Sequence, residues 1–382
     1  MRQQGPLAGL YIHVPFCGRK CLYCDFYSKV PKSGEMDAFI KAVGIEARLR
    51  SKEKYGEFAY DTVFLGGGTP SILSANQLET LFKHLKANFT IANDAEITIE
   101  ANPTSIQARL LESYMKLGIN RISLGVQSFN DTHLEKLGRL HDRAEALAAF
   151  REIRLAGFGN LSLDLIYGLP DQTAAQWEED LEQTVDLNPT HISAYNLIIE
   201  PGTWFGKLLS QNKLALPSEE TQSEMYYALD ERLSDAGYGR YELSNFARRK
   251  YECRHNLKYW RLEPHLGLGP SAVSFDGEKR TKIEADLDSY LKALISRKEP
   301  PREDEVLGPE KLREEAIMMG LRLTEGLSCA DLQERFGYDI LHEKRDIIKA
   351  LVNNGHILFE DGCLKLAPKS LFVSDEVIVK LI

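Results

Sequence analysis

Over its first two thirds the chain alternates between two textures. Short apolar runs rich in Leu, Ile and Val, bounded by Gly, Pro or Asn, predict strands at Gly9–Val14, Thr62–Leu65, Glu96–Glu100, Arg121–Val126, Leu161–Ile166 and His191–Ile199. Between them the apolar positions recur with the helical period, at about residues 35–54, 74–88, 104–117, 142–156, 173–186 and 219–236. Two helix starts carry capping-box spacing, Ser74 before Gln77 and Thr173 before Gln176. Six strand–helix units in strict alternation imply a parallel sheet with right-handed crossovers. Packed into about 230 residues, they predict an α/β fold built on a partial (β/α)6, TIM-like barrel. In such barrels the chemistry gathers at the C-terminal ends of the strands, so functional motifs should follow strands directly.

The texture changes near residue 240. Tyr241–Tyr259 holds aromatic and polar residues with no helical period, and residues 297–305 read as a charged, proline-containing linker. Beyond it Pro309 starts a helix over Glu310–Leu323, Ser328 caps a second, and a third covers about 340–354. Ile357–Leu366, turning at Asp361-Gly362, reads as a hairpin. The expected organisation is a barrel over 1–240, an aromatic segment and linker over 241–300, and a smaller helical, winged-helix-like domain over 301–382.

Composition narrows the function classes. With 43% hydrophobic and 27% charged residues the chain has ample material for a core and is not a disordered polymer. It carries no apolar run long enough to span a bilayer and no leader-like start, so a cytoplasmic protein is the expectation. A net charge of −9 argues against nucleic acid as partner. The winged-helix-like unit agrees: from Ser328 to Asn354 there are four Lys/Arg against five Asp/Glu, which suits a lid or docking unit better than a DNA reader.

Three of the six cysteines, Cys17, Cys21 and Cys24, crowd into one stretch directly after the first strand, with C-x3-C-x2-C spacing. Three thiolates on so short a loop can wrap one inorganic centre. Structural zinc and cubane iron–sulfur clusters both ordinarily take four ligands, so three leave one position open for chemistry. From spacing alone, a Cys3His zinc site completed by His13 and a plain redox pair both stay open.

With Tyr23 just before its third cysteine, the motif resembles that of the radical S-adenosylmethionine enzymes. The resemblance implies a [4Fe-4S] cluster on Cys17, Cys21 and Cys24, whose remaining iron takes the methionine part of S-adenosylmethionine. One-electron cleavage of the sulfonium then gives a 5′-deoxyadenosyl radical. One strand later, Leu65-Gly66-Gly67-Gly68-Thr69-Pro70 resembles the family's GGGTP motif. By matched motif, Tyr11, Tyr23, Gly67, Gly68, Thr69, Glu100, Gln127, Arg139 and Asp164, with Ile198 as a weaker match, are implied S-adenosylmethionine contacts. The carboxylates would suit ribose hydroxyls and Arg139 the methionine carboxylate.

Over about residues 8–320 the motif order most resembles oxygen-independent coproporphyrinogen III oxidase. Two departures separate the chain from that branch. Phe26 stands where the oxidases carry a fourth cysteine, and only about seven residues precede the first strand where the oxidases have a longer extension. In exchange, His255-Asn256-Leu257-Lys258-Tyr259-Trp260 resembles the HNxxYW signature of the HemW heme chaperones. That implies heme as a third bound group, with His255 as axial ligand and Tyr259 and Trp260 stacking on the macrocycle. The expected function is a chaperone that passes heme to an acceptor protein. The alternative is oxidative decarboxylation of coproporphyrinogen III to protoporphyrinogen IX, and whether S-adenosylmethionine cleavage belongs to the function stays open. The implied partners are heme, a heme-acceptor protein and an electron donor such as a flavodoxin or ferredoxin. A peripheral contact with membrane heme proteins and a homodimer are left open.

Overall fold

The computed structural model describes residues 6–382. Six strands, β1 (Leu7–Val14), β2 (Ala59–Gly67), β3 (Thr90–Ala101), β4 (Arg121–Gln127), β5 (Asn160–Tyr167) and β6 (His191–Asn196), pair in parallel and in sequence order. Between and after them run helices α1 (Glu35–Arg50), α2 (Ala75–Asn88), α3 (Ala108–Leu117), α4 (Asp131–Leu137), α5 (Arg143–Leu155), α6 (Ala174–Leu187), α7 (Trp204–Ser210) and α8 (Glu219–Asp235). The capping boxes of α2 (Ser74/Gln77) and α6 (Thr173/Gln176) are both formed, and α5 has a third, Asp142/Glu145. Residues 104–107, expected in the third helix, are excluded from it because Pro103–Ser105 forms a 3-10 turn first. The seven-residue helices α4 and α7 are too short to show a period in sequence.

Alternation along the strands divides two environments. Leu10, Ile12, Val63, Leu65, Ile97, Ile99, Ile122, Leu124, Leu161, Leu163 and Ile192 join Phe39, Leu78, Leu81, Leu111, Ile153 and Trp177 of the helices in one buried core. The intervening positions, Tyr11, Phe64, Glu100, Ser123, Asp164 and Ser193, line a single cavity instead. Residues from all six strands face that cavity, so the sheet curves around it as a partial barrel.

The sheet extends further than the sequence suggests. After β7 (Gly239–Arg240) and β8 (Asn245–Ala247), which pair antiparallel beside β6, comes α9 (Arg254–Trp260). The chain then returns to the opposite edge: β9 (His265–Leu268) lies parallel to β1, and β10 (Val273–Phe275), β11 (Lys279–Ile283) and β12 (Arg302–Val306) continue antiparallel. Helix α10 (Leu287–Ile295) sits between β11 and β12. Two readings are thereby corrected. The stretch without helical period contains a helix, whose buried residues are the polar His255 and Lys258 rather than an apolar stripe. The expected linker contains an edge strand held by cross-strand ion pairs, Lys279–Asp304 and Arg280–Glu305, and its charged, exposed residues hide it from an apolar-alternation test.

The C-terminal unit follows as α11 (Pro309–Gly320), β13 (Leu327–Ser328), α12 (Cys329–Phe336), α13 (Ile340–Glu343), α14 (Arg345–Asn353), β14 (Ile357–Glu360), β15 (Cys363–Leu366) and α15 (Ser374–Ile378). The β14–β15 hairpin turns at Asp361 and Gly362, both with positive φ, as expected. This winged-helix-like unit docks on the barrel beside α9: α11 packs on α9, Thr324 N–H donates to Tyr241 O at 3.0 Å, and Arg261 pairs with Glu325 at 3.1 Å. No described helix is long and apolar enough to cross a membrane.

Candidate functional site

The cavity has a volume of about 710 Å³ and opens at the C-terminal ends of β1–β6. The implied cluster, S-adenosylmethionine and axial heme ligands all line it: Cys17, Cys21 and Cys24, Tyr11, Tyr23, Gly67, Gly68, Thr69, Glu100, Gln127, Arg139, Asp164, Ile198 and His255, whereas His13 does not.

The cysteine loop is fastened at its base. Cys17 N–H donates to Lys29 O and Lys29 N–H to Pro15 O, both at 3.0 Å, so the intervening residues form one closed excursion. The Gly-rich turn after β2 fastens it sideways: Gly68 N–H donates to Val14 O at 2.8 Å and Thr69 N–H to Phe16 O at 2.7 Å. Such contact requires glycine. A Cβ on Gly68 would stand 2.5 Å from Phe16 O, and one on Gly67, whose φ is +104°, would stand 2.6 Å from the His13 ring. Gly68→Ala is therefore expected to cost ~1–3 kcal/mol and to open the cysteine loop. Gly18→Ala, whose methyl would only touch Leu140 at 3.7 Å, is the control. Urea melts of both variants check this; equal midpoints would refute the wedge.

The thiols do not gather around one point. Among the described residues no three His, Cys, Asp or Glu side chains converge to hold a single metal ion. His13 is also engaged elsewhere, through Nε2 to Tyr27 O at 2.8 Å and Nδ1 to Tyr11 Oη at 3.1 Å, and burial lowers its pKa. These contacts speak against the Cys3His zinc reading. Burial also pushes the Cys24 thiol up to about 11, so its thiolate is favoured only beside positive charge such as a bound metal supplies.

A polar chain ties the loop to the strand ends. Arg139 Nη1 donates to Cys21 Sγ at 3.6 Å, and its Nη2 donates to Asn102 Oδ1 at 2.7 Å and Gly125 O at 2.6 Å. Asn102 Nδ2 donates to Thr69 Oγ1 at 3.0 Å, and that hydroxyl donates to Cys17 Sγ at 3.4 Å. Arg139 Nε is buried without a hydrogen-bond partner. Asn102, which sequence reading passed over, joins three of the motifs; its only signal was its place at a strand end.

Two carboxylates, Glu100 and Asp164, also line the cavity. Glu100 accepts from Gly67 N–H at 3.1 Å, and burial followed by the neighbouring Asp164 raises its pKa to about 8. Asp164 accepts from Ser123 Oγ at 2.9 Å and Ser162 Oγ at 3.0 Å. At the end of β4, Gln127 holds a φ of +70°, a strained conformation for a non-glycine residue that turns the strand at the cavity wall. Phe26 (68% exposed) and Ile198 (72% exposed) form an apolar rim.

His255 is not the open ligand expected from sequence. It is 1% exposed, stacks on Phe64 with ring centroids 5.1 Å apart, and both nitrogens are engaged: Nδ1 with Thr62 Oγ1 at 2.8 Å and Nε2 with Tyr259 Oη at 2.9 Å. Burial drives its pKa well down, so the ring is neutral. Trp260 does not line the cavity, whereas Asn256 and Tyr259 do.

Known proteins resemble the chain along most of its length. The family model of the radical SAM superfamily matches residues 11–184, and that of the HemN C-terminal domain matches residues 307–373. The heme chaperone HemW of Bacillus subtilis (strain 168) is 34% identical over 368 residues, covering 96% of this chain and 97% of the relative. That of Escherichia coli (strain K12) is 40% identical over 268 residues, 70% of each chain. Among solved structures, the coproporphyrinogen III oxidase HemN of Escherichia coli superimposes with a TM-score of 0.84 at 24% identity, covering 99% of this chain and 90% of that one. At that identity the likeness is one of fold alone.

Proposed function

We propose, because the chain belongs to the HemW family within the radical S-adenosylmethionine superfamily, that it is a heme chaperone of the cytoplasm that holds a [4Fe-4S] cluster, S-adenosylmethionine and heme and passes the heme to an acceptor protein. A flavodoxin- or ferredoxin-type protein is the proposed electron donor. The observation that carries the reading is that three soft thiols, a glycine cradle and two carboxylates all line one cavity at the strand ends.

The residues present fit the cluster and S-adenosylmethionine. Cys17, Cys21 and Cys24 would hold the cluster, with no fourth protein ligand offered at the loop. When bound, the cluster and S-adenosylmethionine supply one-electron chemistry at a sulfonium. Gly67, Gly68 and Thr69 would bind the amino group of the methionine moiety, Glu100 and Asp164 the ribose hydroxyls, and Arg139 the methionine carboxylate. Tyr11, Tyr23, Gln127 and Ile198 would complete the walls of that pocket.

His255 suits heme iron in one respect and resists it in another. With Nδ1 donating to Thr62, Nε2 keeps its lone pair, and a hydrogen bond on the distal ring nitrogen is the usual way to orient a histidine ligand. Tyr259, however, caps Nε2 and must release it. Tyr259→Phe is therefore expected to tighten heme binding about fivefold, the worth of one hydrogen bond, and His255→Ala to abolish the Soret shift. A Soret shift unchanged in His255→Ala removes His255 as ligand.

The deciding experiment is parallel heme titration and coproporphyrinogen III turnover on one cluster-loaded, anaerobic sample. Saturable heme binding without turnover is expected. Conversion to protoporphyrinogen IX would replace the chaperone reading with that of a decarboxylase.

A further inference from the structure

Arg121 opens β4 and faces inward with Ser123 and Gly125, and all three line the cavity. It is 1% exposed. Among the described residues its guanidinium has no hydrogen bond and no ion pair, and Nε is buried without a partner. An unmatched guanidinium in such a place costs several kcal/mol unless something else meets it.

The acids nearby are turned to other donors. Glu96 accepts from the backbone N–H groups of His255 at 3.2 Å and Arg254 at 3.3 Å, and from Cys253 Sγ at 3.6 Å. Asp164 is taken by Ser123 and Ser162, and Glu100 by Gly67. They balance the charge of Arg121 at a distance without closing on its fork. A planar fork of five donors, permanently charged, is the geometry that receives a carboxylate in two parallel hydrogen bonds.

Three arginines line the cavity: Arg19, exposed on the cysteine loop, Arg139 and Arg121. Arg139 is bonded into the cysteine loop, whereas Arg121 lies in the barrel interior, near enough to His255 to act on its charge. S-adenosylmethionine has one carboxylate, for which Arg139 is proposed; heme has two propionates. We propose that Arg121 is a carboxylate-binding residue of this cavity and that its ligand is a propionate of the tetrapyrrole. The assignment rests on the heme-chaperone reading and adds to it the group that orients the macrocycle.

The test titrates cluster-loaded wild type, Arg121→Gln and Arg121→Lys with heme and with heme dimethyl ester, whose propionates are blocked. Wild type is expected to bind heme at least about tenfold more tightly than the diester, as a charge-assisted pair implies. Arg121→Gln should bind both ligands alike, near the wild-type value for the diester, and Arg121→Lys should keep part of the preference. Its affinity for S-adenosylmethionine should be unchanged in Arg121→Gln. The proposal is overturned by a wild type that binds heme and diester equally, a result that needs no variant to fold. It is also overturned by an Arg121→Gln chain that keeps the full preference, or that loses S-adenosylmethionine instead. Absence of saturable binding of either porphyrin to wild type defeats the chaperone reading itself, which separates the two failures.

Discussion

A Cys21→Ser chain, reconstituted without oxygen, is expected to keep its fold and lose essentially all of its iron–sulfur absorbance. The loop is held by backbone bonds that do not involve the Cys21 side chain: Cys17 to Lys29, Leu22 to Leu137 at 3.1 Å, and Phe205 to Leu22 at 3.0 Å. The sulfur itself is half-buried and has one hydrogen-bond partner, Arg139. Replacing it by oxygen should therefore change stability by no more than ~1 kcal/mol. The remaining Cys17 and Cys24 cannot hold three corners of a cubane. Iron content and the EPR spectrum of the reduced sample, beside a thermal melt, check this. A wild type that carries one zinc per chain and gives no cluster signal would sink the cluster assignment and everything built on it.

The barrel and its site were legible for a shared reason. Parallel strands buried against helices must show apolar residues at alternate positions, and the polar residues between them, Glu100, Ser123 and Asp164, then have only the interior to face. A motif reading therefore found the cavity wall strand by strand. What escaped was structure not made by apolar burial. β12 is stabilised by ion pairs and α9 by buried polar contacts, so neither leaves a periodic trace. Arg121 escaped because a strand-opening arginine reads as a solvent residue until the sheet is closed around it. His255 was found by motif, but its two hydrogen bonds depend on Thr62 and Tyr259, and the first of these lies on a strand nearly two hundred residues earlier.

A second large effect should follow pH through Glu100. Burial, and after it the neighbouring Asp164, holds this carboxyl at about 8, against the opposing pull of Gly67 N–H and Arg121. In the unfolded chain a glutamate releases its proton near ~4.3. Between those two values the folded chain keeps a proton that the unfolded chain has lost, so stability falls as pH rises. For Glu100 the fall between pH 5 and pH 8 is on the order of 4 kcal/mol. Glu100→Gln keeps an acceptor for Gly67 N–H and has no proton to lose. Asp180, held at about 6, and Glu46, held at about 7, slope the same way in both proteins, so the informative quantity is the difference between the two curves. Urea melts of the metal-free chains should therefore agree near pH 4.5 and diverge steadily, with Glu100→Gln the more stable by pH 8. Parallel curves across that range would mean that water or a counter-charge already relieves the carboxylate, and that Glu100 meets its ligand as an ordinary ionised acid.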